Sequence, residues 1–339
     1  MRTSPPALEP AGRVWLGPGP RWGWLVGLGV LLLGTQAQSP APTGDNSRED
    51  PPFRVGFSTS MFKGVNRNDV TASFSAWVQS VAEQRRVPVD PKPLLFDSLP
   101  TLGEALAGRR VDAVGMTTEE YARLRGVVQL APVFVTRRAG RIGEEYVILV
   151  RRASGITGLG DLRGRRLMIY QHVRTCLAEV WLETLLARNQ LPPPSAFFGH
   201  LTREGQLAAV VLPVFFGQSD ACLATRSGYE TMTELNPQVG TRLVTVASSP
   251  ALLPALFSFR ADYSAPSKAR LLATLRELHR SPAGQQILTL FQSDRLEEGG
   301  PAELETACDL IRLHERLCGP GPAPARLSAA PPAAHSGTP

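Results

Sequence analysis

Between Tyr170 and Cys176 the chain reads Gln171-His172-Val173-Arg174-Thr175. A carboxamide, an imidazole, a guanidinium and a hydroxyl within five residues form a dense set of hydrogen-bond donors. Two chemistries fit this set. In the first, Arg174 presents its planar fork to a carboxylate- or phosphate-like oxyanion, and Gln171, His172 and Thr175 add donors to the same group. In the second, His172 and Cys176 stand four residues apart, on one face if the segment is helical. That is a Cys–His nucleophile, and it needs a third group to orient the base. No such group is identifiable. Structural roles compete with both: Thr175 is a good helix N-cap by type, Arg174 has 30 acidic residues to pair with, and His172 suits a surface loop.

Three further clusters carry hydroxyls or cations. Ser58, Thr59 and Ser60 directly follow an apolar run, Phe53 to Phe57. Their bland reading is a polar turn. Thr117, Thr118 and Tyr121 follow a second such run, and Thr225 and Arg226 a third. The last two belong to a weak internal repeat. Asp112-Ala113, Thr117 and Tyr121 align with Asp220-Ala221, Thr225 and Tyr229. Each aspartate starts a strand, at the end away from the threonine, and reads as structural.

The elements that must position these groups alternate. Phe53–Phe57, Pro93–Phe96, Val111–Met116 and Tyr146–Val150 read as strands. Asp69–Arg85 reads as a helix, with Val70, Phe74, Trp77, Val78 and Val81 at helical spacing. Ser98–Ala107 reads as a capped short helix. Leu271, Leu272, Leu275 and Leu278 form the core stripe of another, with His279 at the surface. Strand–helix alternation of this kind predicts an α/β fold with largely parallel sheets. Two related lobes facing each other would place Thr117 and Thr225 on opposite walls of one cleft, outside the carboxyl ends of the strands.

Several stretches resemble a known family. "FRVGFSTSMFKGVNRNDVTASFSAWV", "LGEALAGRRVDAVGMTTEEYARL", "ASGITGLGDLRGRRLMIYQ" and "LFSFRADYSAPSKARLLATLRELHRSPAGQQIL" are similar to the opening strand and ligand loop, the helix–Gly–Asp–strand element, the start of the second lobe and the closing helices of phosphonate/phosphate/phosphite-type (PhnD-like) periplasmic solute-binding proteins of ABC transporters. The resemblance spans about residues 53–295. It implies the type 2 periplasmic-binding-protein (Venus flytrap) fold, two α/β lobes joined by two crossing strands. It implies capture of a small anionic or polar solute, a phosphate- or phosphonate-like oxyanion or a relative of one, without catalysis, by residues 58–61, 117–121 and the loop after Tyr170. That third loop is bulkier and more cationic here than the family's usual Ser/Thr/Gly cluster. The implied partner is an ABC permease, with a sensor kinase as the alternative.

The expected organisation follows. Residues 1–37 read as an export signal, with Arg2, Arg13 and Arg21 ahead of a short apolar run and small residues near Ala37. An uncleaved anchor is the alternative. No cysteine follows the cleavage point, which argues against a lipoprotein and leaves a periplasmic protein. Residues 38–52, Pro-rich and polar, and 319–339, Pro-, Gly- and Ala-rich, read as a disordered linker and tail. Residues 53–148 plus 256–318 form lobe one, and 152–252 form lobe two, with hinge strands near 145–151 and 255–260. Only three of the 36 basic residues are lysine, and the arginines are interleaved with acids. No basic block points to nucleic acid. A monomer without cofactor is expected. No Cys/His set has metal-ligand spacing. Cys176 and Cys222 fall in the same half of the chain and are the candidate pair for a disulfide. Cys308 and Cys318, roughly 15 Å apart along a straight helix, are too far apart for a bridge unless the helix breaks.

Overall fold

The computed structural model describes residues 51–62 and 66–319. The expected signal segment, nearly all of the linker and the tail beyond Gly319 lie outside the described residues. Strand β1 (Val55–Ser58) runs through a 3-10 turn (Thr59–Phe62) to helix α1 (Arg67–Arg85). Then come β2 (Leu94–Phe96), α2 (Leu99–Ala107), β3 (Ala113–Thr117), α3 (Thr118–Leu124), β4 (Leu130–Arg138) and β5 (Arg141–Ile142). The chain continues through β6 (Tyr146–Arg151), β7 (Arg166–Tyr170), α4 (Ala178–Arg188), α5 (Pro194–Phe197), β8 (His200–Glu204), α6 (Leu207–Phe215), β9 (Ala221–Thr225), α7 (Arg226–Leu235), α8 (Pro237–Arg242) and β10 (Leu243–Ser248). It closes with β11 (Ala255–Arg260), α9 (Lys268–Arg276), α10 (Pro282–Leu290), β12 (Arg295–Glu298) and α11 (Pro301–Cys318).

Two sheets result. One has the order β12-β4-β11-β3-β1-β2 with β5 beside β4, and the other β10-β6-β9-β7-β8. Alternate side chains of each strand enter different cores, as the pleat requires. In β3, Ala113 joins a cluster with Phe57, Phe74 and Trp77, whereas Val114 and Met116 join one with Leu102 and Leu106. In β9, Ala221 and Leu223 pack with Trp181 and Leu182, whereas Cys222 and Ala224 pack with Val210 and Val214. Both faces of both sheets are therefore covered, which is why these strands read as continuous apolar runs.

The internal repeat is structural. β1 pairs parallel with β3 and β7 with β9, in the same register. Asp112 accepts hydrogen bonds from the backbone N–H and guanidinium of Arg54, at the start of the neighbouring strand. Asp220 accepts the same pair from Arg166. The two aspartates clamp strand starts far from the threonine ends.

The chain passes between the sheets at 143–145 and 249–254. There Glu144 and Leu252 pair antiparallel, with N–H to oxygen distances of 2.8 and 2.9 Å in the two directions. β6 and β11, the expected crossing strands, each lead out of one of these passages. Helix α11 touches both halves: Leu304 packs in the Leu102 cluster of the first sheet, and Ala307 and Ile311 in the Trp181 cluster of the second. We propose that 53–148 plus 256–318 form one lobe and 152–252 the other.

The expected Cys176–Cys222 bridge is not made. No disulfide joins them. The second sheet lies between their two side chains: Cys222 faces Val210 and Val214, and Cys176 packs on the Trp181 side. Full burial pushes the Cys222 thiol up to about 12.

Candidate ligand-binding cleft

The polar segment 171–175 is a strand-to-helix connection whose backbone is capped from within. His172 Nδ1 accepts from the Arg174 N–H at 3.2 Å. The Thr175 hydroxyl accepts from the His172 N–H at 2.8 Å and lies 2.8 Å from the Tyr170 carbonyl. These bonds fold residues 173–175 into a 3-10 turn. The turn lies against the 3-10 turn that follows β1, so the first sheet's loop and the second sheet's loop meet.

Arg174 is 7% exposed. Its Nε donates to Glu144 at 2.8 Å, and Glu144 also accepts from the Ser227 hydroxyl at 2.6 Å. Nη1 of Arg174 reaches the Gln292 carbonyl at 3.5 Å, and the Tyr146 hydroxyl donates to the Arg174 carbonyl at 2.9 Å. The guanidinium thus ties the loop after β7 to the crossing segment and to the end of α10. His172 stacks on Tyr170, with ring centroids 5.3 Å apart. Its Nε2 faces the side-chain carboxamide of Gln292 at 2.8 Å. With Nδ1 accepting, the ring is held neutral. Burial is the main cause of its lowered pKa, helped by Arg174 and Arg138.

These groups wall a cavity of about 450 Å³. Arg138, Arg141 and Gln292 come from the first sheet's side, and Tyr170, His172, Arg174, Thr225, Ser227 and Gly228 from the second's. Glu144 stands between them at the crossing, and Glu230 and Glu234 line the α7 wall. Arg141 and Glu230 form an ion pair of 2.9 Å from one side to the other. Arg138 donates to Gln292 Oε1 at 3.3 Å and makes no ion pair among the described residues. Thr225 caps α7, its hydroxyl accepting from the Gly228 N–H at 3.1 Å. Arg226 pairs with Glu145 and does not line this cavity.

The sequence-derived residues therefore divide. His172, Arg174 and Thr225 line one cavity. Thr175 sits behind it, buried and committed to its own loop. Gln171 is exposed, with its N–H donating to the Glu204 carbonyl. The first-sheet group does not line this cavity. Ser58 donates to Glu120 at 2.5 Å, and Thr117, through both hydroxyl and backbone N–H, donates to the same carboxylate at 2.9 and 2.8 Å. An internal carboxylate thus fills the position these donors surround. Thr59 donates to Asp97 at 3.0 Å. Ser60 donates its N–H back to Ser58. Thr118 is fully buried beside Pro254. Tyr121 packs under α11, where burial raises its pKa.

Cys176 donates to the Pro254 carbonyl at 3.1 Å, and the His172 ring bonds elsewhere, as above. No group of three or more His, Cys, Asp or Glu that could hold a metal occurs among the described residues. No described helix is long and apolar enough to cross a membrane.

Sequence reasoning missed Arg138, Arg141, Glu144, Ser227, Glu230, Glu234 and Gln292. Ser227 and Gly228 were findable, because they occupy the first turn of the helix that Thr225 caps. Arg138, Glu144 and Gln292 carry no local signal; a hairpin, a crossing segment and a helix end bring them in.

Comparison with known proteins gives a consistent picture. A family model described as "ABC transporter, phosphonate, periplasmic substrate-binding protein" matches residues 62–304. Among solved structures, the fold is similar to XAC2383 from Xanthomonas citri, bound to chloride ion, with TM-score 0.56, 18% identity, and 78% of this chain and 98% of that one covered. It is similar to a binding protein component of an ABC phosphonate transporter from Pseudomonas aeruginosa, with TM-score 0.52, 14% identity, and coverage of 80% and 88%. It is also similar to PhnD1 from Prochlorococcus marinus in complex with methylphosphonate, with TM-score 0.51, 14% identity, and coverage of 79% and 98%. At these identities the likeness establishes the fold. No curated protein matches the chain.

Proposed function

Because the chain belongs to the phosphonate family of periplasmic substrate-binding proteins of ABC transporters, we propose that it captures a small oxyanion in the 450 Å³ cavity between its two lobes and delivers it to a membrane permease. The observation that carries this reading is the shared cavity itself, into which both lobes project donors. Arg174 and Ser227 counter the charge of Glu144, and Arg141 counters Glu230. Arg138 and the Thr225 hydroxyl are the donors best placed for an incoming anion. Glu234 on the α7 wall disfavours a large, multiply charged one. The site's work is binding: a ligand that touches both lobes stabilises the closed arrangement by its differential affinity for it. The segments 143–145 and 249–254 are the hinge in this reading.

Thermal-shift measurements with phosphate, phosphite, methylphosphonate, short sulfonates and carboxylates test it. Binding to the folded state alone stabilises by about 2.7 kcal/mol at a hundredfold excess over Kd, and the shift grows with ligand concentration. Stabilisation by one of these oxyanions is the expected result. No concentration-dependent shift with any of them would sink the oxyanion reading.

A further inference from the structure

The end of the second sheet away from the cleft carries a row of arginines, and its strand order brings them together. β10 starts just after Arg242, and Leu243 pairs with Arg151 at the end of β6. Val150 pairs with Ala221 at the start of β9, and Ala221 with Leu167 of β7, whose first residue is Arg166. At about 4.8 Å between strands, the row from Arg242 to Arg166 spans about 15 Å. The segments that form this end, 151–166, 189–200, 216–220 and 236–242, hold six arginines and two aspartates. Both aspartates are engaged. Asp220 accepts from Arg166, and Asp161 from the backbone N–H groups of Thr157 and Gly158. Arg151, Arg152, Arg165 and Arg242 are exposed and make no ion pair among the described residues. The cleft end of the same lobe presents Glu230 and Glu234, so its charge is polarised along the strands.

An exposed aromatic ring stands among these cations. Phe216 follows α6 at the same end and is 62% exposed. A Cβ on Gly217 would lie 3.0 Å from Arg151 Nη1, so that guanidinium rests on the Phe216–Gly217 turn. The Arg242 guanidinium stands 5.1 Å from the centre of the Phe215 ring, which meets the Phe216 ring edge to face at 5.0 Å. Arg152 is held nearby, its Nε donating to the Thr241 carbonyl at 3.1 Å.

We propose that this end of lobe two docks on an anionic phospholipid surface, with Phe216 entering the headgroup layer and Arg151, Arg152 and Arg242 meeting lipid phosphates. The proposal goes beyond the oxyanion reading and needs no solute, because it uses the end of the lobe opposite the cavity. Arginines without internal acids are drawn to an anionic surface, and their contributions add. A ring flanked by cations gains by entering a membrane interface: the ring leaves water while the guanidinium heads stay at headgroup level. A row along one sheet end matches a flat array of phosphates better than it matches one small anion. An acidic protein segment would answer the arginines alone and leave the ring without a counterpart. Docked in this way, the protein keeps its cleft clear of the bilayer.

Flotation of the full chain with vesicles of phosphatidylcholine, with and without added phosphatidylglycerol, tests this. Binding is expected only to the anionic vesicles and is expected to weaken as salt rises. Replacing Arg152 and Arg242 together by alanine is expected to lower partitioning about thirtyfold, at about fivefold for each arginine near an anionic surface. Phe216→Ser is expected to lower it about tenfold and to leave the salt dependence unchanged. Arg110→Ala with Arg270→Ala, two exposed arginines of lobe one, is the control pair and is expected to bind like the parent. Circular dichroism checks the fold of each variant, and should one patch variant fail to fold, the other decides. No binding to anionic vesicles, equal binding to neutral ones, or an equal loss in the control pair overturns the proposal, whatever the thermal-shift series shows for oxyanions. Retention on immobilised polyglutamate without vesicle binding assigns the arginines to an acidic protein and likewise overturns it.

Discussion

At the scale of the residue, the chemistry of the cleft is dominated by charges that already have partners. Arg174 and Glu144 are both nearly fully buried and 2.8 Å apart. Removing one partner of such a pair leaves an uncompensated buried charge, which costs about 3–5 kcal/mol. Arg174→Ala is therefore expected to lower the melting temperature of the ligand-free protein markedly, and Arg174→Met with Glu144→Gln to recover most of the loss. A single variant as stable as the parent would mean that Glu144 is solvated after all. His172 makes a different demand. Its folded pKa lies below the ordinary value near 6.5 because burial and two arginines disfavour the imidazolium. The unfolded chain then binds a proton before the folded one does, so stability falls as pH drops from about 6.5 toward the folded value. The ion-paired carboxylates with lowered pKa, such as Asp220 and Glu297, act only below about pH 4. Melting curves between pH 7.5 and 5 are expected to slope downward toward acid, and His172→Gln to flatten that slope.

At the scale of the element, α11 is the segment whose role is least apparent from its own composition. Its apolar stripe divides between two cores, Leu304 in one and Ala307 and Ile311 in the other. Ile311 is 3% exposed. Truncating it to alanine removes buried methylenes and leaves a cavity, at a cost of about 2–5 kcal/mol. Asp309, two residues away and exposed, is expected to tolerate alanine within about 0.5 kcal/mol. Urea titrations of the two variants check the contrast. The turns before α1, α2, α3 and α7 show the opposite case. Asn66, Ser98, Thr117 and Thr225 each accept a hydrogen bond from the first turn of the helix they precede. Sequence alone marks all four as capping types.

At the scale of the whole molecule, the two crossing segments decide how the lobes meet. Gly143 has φ +83°, and a Cβ there would lie 3.2 Å from the backbone of Leu252 in the other crossing. Only glycine adopts this conformation without strain. Gly143→Ala is expected to destabilise by about 1 kcal/mol or more. It is also expected to shift the Glu144–Leu252 pairing, read by amide hydrogen exchange at Leu252. Unchanged exchange and stability would show that the crossing tolerates a side chain.

Much of this molecule was legible before folding. The alternation of apolar runs and helical spacing specified an α/β fold, because strands covered on both faces must be apolar throughout, but the largely parallel sheets it predicts are mixed: the crossing strands and their neighbours pair antiparallel. The Asp-Ala repeat specified two matching strand pairs, because the same backbone clamp recurs at Arg54–Asp112 and Arg166–Asp220. Of the segment 171–175, which the sequence marks as rich in donors, His172 and Arg174 line the cavity. Sequence could not say which of those donors are committed to internal partners. Ser58 and Thr117 look like ligand donors until Glu120 is placed between them. Arg174 looks like an anion fork until Glu144 arrives from 30 residues away. Hydrogen-bond commitment depends on distances between segments remote in the chain, and only the tertiary structure supplies those.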